Sequence, residues 1–529
     1  MSRKRLILLL AGGALLIMIV IALLAIFSGR ILKDRIQRAL GPNVQVGNVS
    51  LSWDGVELSD IIVTRDTHTV ARAKRVVLRA KLLGIFGQGY KLSRVVIDEP
   101  VVTLTAAESD GIGRLISAHT GKETAGGPSM AGKPVSIRRL EIKNGSFAVE
   151  ASHLPPPGML RAVNFNLTLD DVDYPSSNKK SKLTVESRFE GSLLSGRVAC
   201  RGTINLETAA VDLKLDAADI RGADAAGAGP QLRAKAITLR IQSGEDVKGV
   251  LLSDVTLKEP YVVLTIDRRG DLVLPVRLPP EKPKAREPGP ATTRVFISNL
   301  SISGGEVLVF DGKVSRPPHQ LRYTDMQGRI DRVSIPAALE WSSYILSAKI
   351  PRQASTGTLD LSGKTMFSTT DTDAKLVVKD LDLTSLRPYI YKQGDTEVAA
   401  GQMDLTLDAT VRKRHIRAPA RAIIRNLAFA PARTVKDRFL GVPRAAVINY
   451  MKSGSNDIVF NFTVEGNIDD PKFTSTDAMT TRLALGLAKT LGVDVFGVGE
   501  TILRQGGRTI EGIGRGLRDA TGGASRRVR

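Results

Sequence analysis

The side chains in this sequence able to do acid–base or covalent chemistry are few and scattered. Asp170 with Asp171, and Asp469 with Asp470, are neighbouring carboxylates of the type used in general acid–base work. Both pairs fall where an alternating segment is expected to end, and Asp there more often forms a turn. His68, His119, His153, His319 and His415 stand alone, none with a His, Cys or Asp at metal-ligand spacing on a common element. Cys200 is the single cysteine, which excludes an intramolecular disulfide framework and any multi-cysteine metal site. The run GVGETI from Gly497 lacks the third glycine of a dinucleotide fingerprint and follows no βαβ unit. No nucleophile stands beside its base, so the chain reads as non-enzymatic, with no cofactor and no metal.

The elements that would position any site are strands. Phe165, Leu167 and Leu169 alternate with polar neighbours, as do Leu405, Leu407 and Ala409, and Ile458, Phe460, Phe462 and Val464. A period of two gives each strand one apolar and one wet face. Hydrophobic residues make up 42% of the 529, enough for real cores, and the 5% aromatic share suits many thin strands.

The body is duplicated. LSRVVIDEPVVTLT (Leu92 to Thr105) recurs as LSDVTLKEPYVVLT (Leu252 to Thr265), with eight of fourteen positions identical at an offset of 160. RAKRVVLR from Arg72 matches RAKAITLR from Arg233, and VSIRRLEIKNGSF from Val135 matches VFISNLSISGGEV from Val295. Pro100 and Pro260 interrupt their strands at matching points, which proline does at an edge or a bulge. Residues 119–134 and 279–293 are Gly-rich and Pro-rich linkers at equivalent places. They separate β segments at 43–118, 135–278 and 294–475. Without the repeat, such alternation reads as a closed β-sandwich. With it, stacked units form either a closed sheet or an open trough with an apolar lining.

Ahead of the strands, Leu6 to Phe27, with Leu16 near its centre, runs 22 residues without a charge, long enough to span a bilayer. No convincing cleavage site follows it, which favours an uncleaved anchor within residues 1–28 over a signal peptide. Arg3, Lys4 and Arg5 place the short end in the cytoplasm. Residues 29–42 read as an interfacial amphipathic helix ended by Gly41 and Pro42. From Thr476 the pattern returns to helix, with Leu483, Leu487 and Leu491 on one stripe. Amphipathic helices are expected over 476–520 and a basic tail over 521–529, serving to cap the last sheet edge or to bind a surface. The net charge of +21 favours polyanionic neighbours. Nucleic acid is disfavoured because the basic residues are not interleaved with stacking aromatics.

The anchor, the paired strand motif LSRVVIDEPVVTLTAAESDG and LSDVTLKEPYVVLTIDRRG, and the later segments LVVKDLDLTSLRPYIY, AAGQMDLTLDATV and FNFTVEGNIDDPKF together resemble the AsmA-like family of bacterial envelope proteins. The resemblance covers residues 1–475. It implies a protein held in the inner membrane by one helix, with a periplasmic body built as a repeating β-groove of the bridge-like lipid-transfer type. The expected fold is therefore mainly β, an N-terminal transmembrane helix followed by an elongated repetitive antiparallel sheet or groove, with C-terminal amphipathic helices. The expected function is phospholipid transport and outer-membrane homeostasis. The implied partners are membrane phospholipid, the inner membrane, and an outer-membrane or periplasmic protein at the far end. Phe165, Leu167, Leu169, Leu405, Leu407, Phe460 and Phe462 are the expected acyl-chain contacts. The alternative is an envelope scaffold with a dry interior, acting through protein partners.

Overall fold

The computed structural model describes residues 43–65, 68–80, 90–104, 135–150, 159–174, 179–191, 194–222, 231–244, 247–273, 294–352, 356–390, 397–431, 437–440, 442–453, 457–469 and 476–492. The expected anchor with Leu6, Leu16 and Phe27, the interfacial helix, both linkers and everything after 492 lie outside them. Among the described residues no helix is long and apolar enough to cross a membrane.

The protein is mainly β with few helices. In chain order the strands are β1 (Val44–Ser52), β2 (Gly55–Arg65), β3 (His68–Ala80), β4 (Tyr90–Asp98), β5 (Val101–Leu104), β6 (Val135–Glu150), β7 (Met159–Tyr174), β8 (Lys180–Gly191), β9 (Leu194–Asn205), β10 (Val211–Gly222), β11 (Leu232–Gly244) and β12 (Val247–Lys258). They continue as β13 (Tyr261–Ile266), β14 (Leu272–Val273), β15 (Val295–Asp311), β16 (His319–Ile335), β17 (Ser342–Pro351), β18 (Thr356–Met366), β19 (Asp371–Asp382), β20 (Val398–Arg412), β21 (His415–Phe429), β22 (Arg438–Phe439), β23 (Val442–Pro443) and β24 (Ile458–Asn467). Among the described residues three α-helices, α1 (Arg387–Ile390), α2 (Arg444–Lys452) and α3 (Thr476–Thr490), fall in the C-terminal part, α1 preceded by a 3-10 turn at Leu383–Leu386.

Two compact units divide the chain: Met1–Ala218 with Ile241–Val247 and Pro279–Glu281, and Asp219–Arg240 with Lys248–Leu278 and Lys282–Arg529. In the first, β1, β2, β3, β4, β6, β7, β8 and β9 pair in that order. In the second the order is β12, β15, β16, β17, β18, β19, β20, β21 and β24. These sheets are mixed, which corrects the expectation of an antiparallel one: β4 and β5 run parallel to β6, and β12 and β13 parallel to β15. Parallel neighbours need a crossover of a dozen or more residues. The long stretches of chain before β6 and before β15 supply that length.

The duplication extends to backbone geometry. Glu99 and Glu259 take φ values of 49° and 47°, Asn164 and Asp325 both 50°, and Asp171 and Arg332 61° and 57°. Each Glu–Pro step breaks a strand without breaking its register with the next. Glu99 N–H donates to the Lys143 carbonyl at 2.8 Å and Ser146 N–H to the Pro100 carbonyl at 2.7 Å, while Glu259 and Glu306 repeat these bonds to Ser303 and Pro260 at 2.7 Å each. Pro100 therefore sits between β3 and β6, and it is tolerated because the chain kinks there. A side chain on Gly145 would come within 3.2 Å of the Pro100 ring, and one on Gly305 equally close to Pro260. Glycine at both positions lets the kink close.

Candidate functional site

Residues directly opposite one another in adjacent strands point to the same face. In the first unit this register lines up two apolar rows. One runs Val49, Leu58, Val76, Ile97, Ile142, Leu167, Val185 and Cys200. The other runs Leu51, Val56, Leu78, Val95, Leu140, Leu169, Leu183 and Gly202. Both cross eight strands. Leu167 and Leu169, two of the expected contacts, are members. Phe165 lies opposite Gly145, with its ring 4.7 Å from that of Phe147 at an edge-to-face angle of 72°.

These rows are only partly covered. Val49, Leu58 and Val95 are buried, Leu51 is 50% exposed, and the other side chains are half-buried. A filled sandwich would bury the whole row, so among the described residues the first unit presents a continuous apolar strip that is only partly covered. Its chemistry is van der Waals contact. The Cys200 thiol at the end of the row is pushed up by burial and then by Asp216.

In the second unit an equivalent row runs Leu257, Ile302, Gly328, Leu346, Leu361, Leu376, Leu407, Ala420 and Phe462. Beside it run Ala348, Leu359, Val378, Leu405, Ala422 and Phe460. Here the row ends in a closed core. Phe460 is 1% exposed and Ala422 is fully buried, packed with Ala484, Leu487 and Ala488 of α3. Leu405 and Leu407 lie at the margin of this cluster, half-buried. A side chain on Gly486 of α3 would stand 2.8 Å from the Asn461 carbonyl and 3.1 Å from Phe462, so glycine lets the helix press onto β24. The chain's own helix thus covers Phe460 and Phe462, while Leu167 and Leu169 lie on the half-covered face.

The opposite face of the first sheet is mostly polar, with Val77 and the buried Val96 in the row that leads to Glu141, and strict alternation does not describe it. At Asp60, Asn164 and Asp171 the backbone enters the left-handed region, which Asp and Asn tolerate best. Around Asp60, Val46 and Val49 share one apolar cluster with Leu58 and Ile61 although each pair is three residues apart. Around Asp171, Ile137 and Leu140 are half-buried while Arg138 and Arg139 between them are both exposed. Two successive side chains turn outward at each slip. Asp170 and Asp171 therefore lie within β7 and not in a turn, and Asp170 accepts a two-pronged bond from Arg139 at 2.7 and 3.3 Å. Arg94 grips Glu141 at 3.1 and 2.7 Å, and this guanidinium holds the Glu141 carboxyl below the usual glutamate range.

One polar group was hidden from sequence reasoning. His319 pairs opposite Asp311 in the β15–β16 ladder, and Tyr389 of α1 donates to the Asp311 carboxylate at 3.0 Å. Burial, then the Asp311 charge, push the Tyr389 phenol far above the usual tyrosine value. It remains a donor, which fits a structural tie between α1 and β15. Only the ladder register could have revealed it. Among the described residues, no group of three His, Cys, Asp or Glu is placed to hold a metal ion. No protein-family model, no curated protein and no solved structure matches this chain.

Proposed function

We propose that this chain is an AsmA-like protein, held in the inner membrane with its body in the periplasm, that binds acyl chains along its apolar sheet faces. In this reading it supports phospholipid transport and outer-membrane homeostasis without covalent chemistry. The observation that carries the reading is the half-covered apolar row through Ile142, Leu167 and Val185, eight strands wide with no break in polarity. Burying apolar surface against hydrocarbon is worth about 25 cal/mol per Å², so a strip of this kind favours a long aliphatic ligand over a compact polar one. Native mass spectrometry of the full chain should find phospholipid bound. A chain that arrives empty and also fails to extract fluorescent phospholipid from vesicles overturns the proposal.

The second reading is a scaffold that holds protein partners without carrying lipid. The closed core around Phe460 and α3 favours it, because that end of the second unit is already filled. Crosslinking separates the two. Protein adducts along the strand ends with no lipid adduct on the apolar row support the scaffold.

A further inference from the structure

The outward slip at Asp171 gathers cations on the polar side of the first sheet. Ser93, Arg94, Arg138, Arg139 and Lys182 line a depression of about 550 Å³ together with Asp170 and Asp171. Two of these cations are committed, Arg94 to Glu141 and Arg139 to Asp170, at 2.7 Å each. The side chains of Arg138 and Lys182 have no ion-pair partner among the described residues. Arg79 stands directly opposite Arg94 on the neighbouring strand. Each of the two is answered by a carboxylate, Arg79 by Asp54 at 3.1 Å and Arg94 by Glu141 at 2.7 Å.

The second copy of the repeat shows that the fold does not require these cations. At the positions of Arg94, Arg138 and Arg139 it carries Asp254, Ser298 and Asn299. The slip is kept there, with Arg332 at φ 57° where Asp171 has 61°. Asn299 pairs opposite Asp331 as Arg139 pairs opposite Asp170, so the register is kept too. The charge differs, and so does the backbone at one position, since Asp254 takes a φ of 53° where Arg94 does not enter the left-handed region. Four cations and two carboxylates, Asp170 and Asp171, face one concavity. With Arg94 and Arg139 engaged, Arg138 and Lys182 are left without an ion-pair partner among the described residues. Such cations suit a compact anion with several acceptor oxygens, guanidinium groups matching phosphate geometry.

We propose that this depression binds the phosphate of a phosphoester, through Arg138 and Lys182 with Arg94 and Arg139 sharing their outer donors. The site lies on the face opposite Leu140 and Leu169: Arg139 and Asp170 are their strand neighbours, and at the slip Arg138 and Asp171 turn outward as well. It is therefore separate from the apolar rows and stands whether or not they hold lipid.

The test uses the full chain in a neutral detergent, titrated with inorganic phosphate and pyrophosphate by calorimetry. Replacing both Arg138→Ser and Lys182→Ser should weaken binding by about tenfold or more, the effect of losing charge-assisted hydrogen bonds. Lys375→Ser, an exposed cation in the second unit, should leave it unchanged. Arg138→Ser alone introduces the residue the second copy already carries, so it should keep the fold and still weaken binding. Flotation with phosphatidylglycerol vesicles against phosphatidylcholine vesicles identifies the source. Loss of phosphatidylglycerol binding in the double variant assigns the phosphate to a lipid headgroup, and loss confined to the soluble probes assigns it to a free phosphoester. No binding of either probe by the unaltered chain, or equal weakening by Lys375→Ser, overturns the proposal.

Discussion

Leu167 lies directly opposite Ile142 in the β6–β7 ladder, and both are half-buried members of one row that crosses eight strands of the first unit. A contact of this kind stabilises the sheet while leaving apolar surface free for something else. The proposed function rests on that combination.

Leu167→Asp should therefore separate binding from folding. A carboxylate on a half-covered face keeps part of its hydration, so the cost to stability is much smaller than in a sealed core. The variant should melt cooperatively yet carry no co-purified phospholipid in native mass spectrometry. Collapse of the fold would mean that the strip is sealed in solution.

Gly486→Val tests the covered end. The new side chain meets the Asn461 carbonyl at 2.8 Å, a backbone atom that cannot swing away, so α3 must lift from β24. Hydrogen exchange should rise across β24 and α3 and stay unchanged in β6 and β7 of the first unit.

Tyr389→Phe removes the donor to Asp311, which is only 5% exposed. Leaving a buried carboxylate short of a partner costs about 1–3 kcal/mol. Urea denaturation should show that loss for the second unit's transition.

Acid should weaken the first unit partly through Glu141. Its carboxyl is held below the ordinary value of 4.5, chiefly by the hydrogen bond from Arg94, against the opposing effect of burial. A depressed carboxylate contributes stability that is complete above the unfolded value and lost as pH falls through the folded one. Glu141→Gln should thus be less stable than the unaltered chain at neutral pH, with the gap closing well below pH 4.5 in urea titrations. A gap that stays constant with pH would contradict the pairing.

Much of the architecture was legible because it is periodic. Alternation at Leu405, Leu407, Phe460 and Phe462 marked strands and their apolar faces, and the repeated LSRVVIDEPVVTLT motif marked two equivalent modules. Three features were not legible. Parallel pairing of β4 with β6 depends on where a long connection returns, which local pattern does not encode. The covering of Phe460 depends on α3, which lies elsewhere in the sequence and packs through tertiary contact. The slips at Asp60 and Asp171 replace alternation with two polar residues between two apolar ones, as in Leu58–Ile61 and Leu169–Val172, and a strict period of two cannot describe them. Their product, the paired Arg138 and Arg139 facing one depression, is where charge rather than apolarity distinguishes the two copies of the repeat.

The central claim is that the apolar row of the first unit carries acyl chains, and site-specific photocrosslinking in the native membrane tests it most directly. A photoreactive side chain at Val185, in the row through Leu167, should yield phospholipid adducts, and the same group at Phe460 should yield none because α3 covers it. Protein adducts alone at Val185, or no adduct at all, would contradict the account.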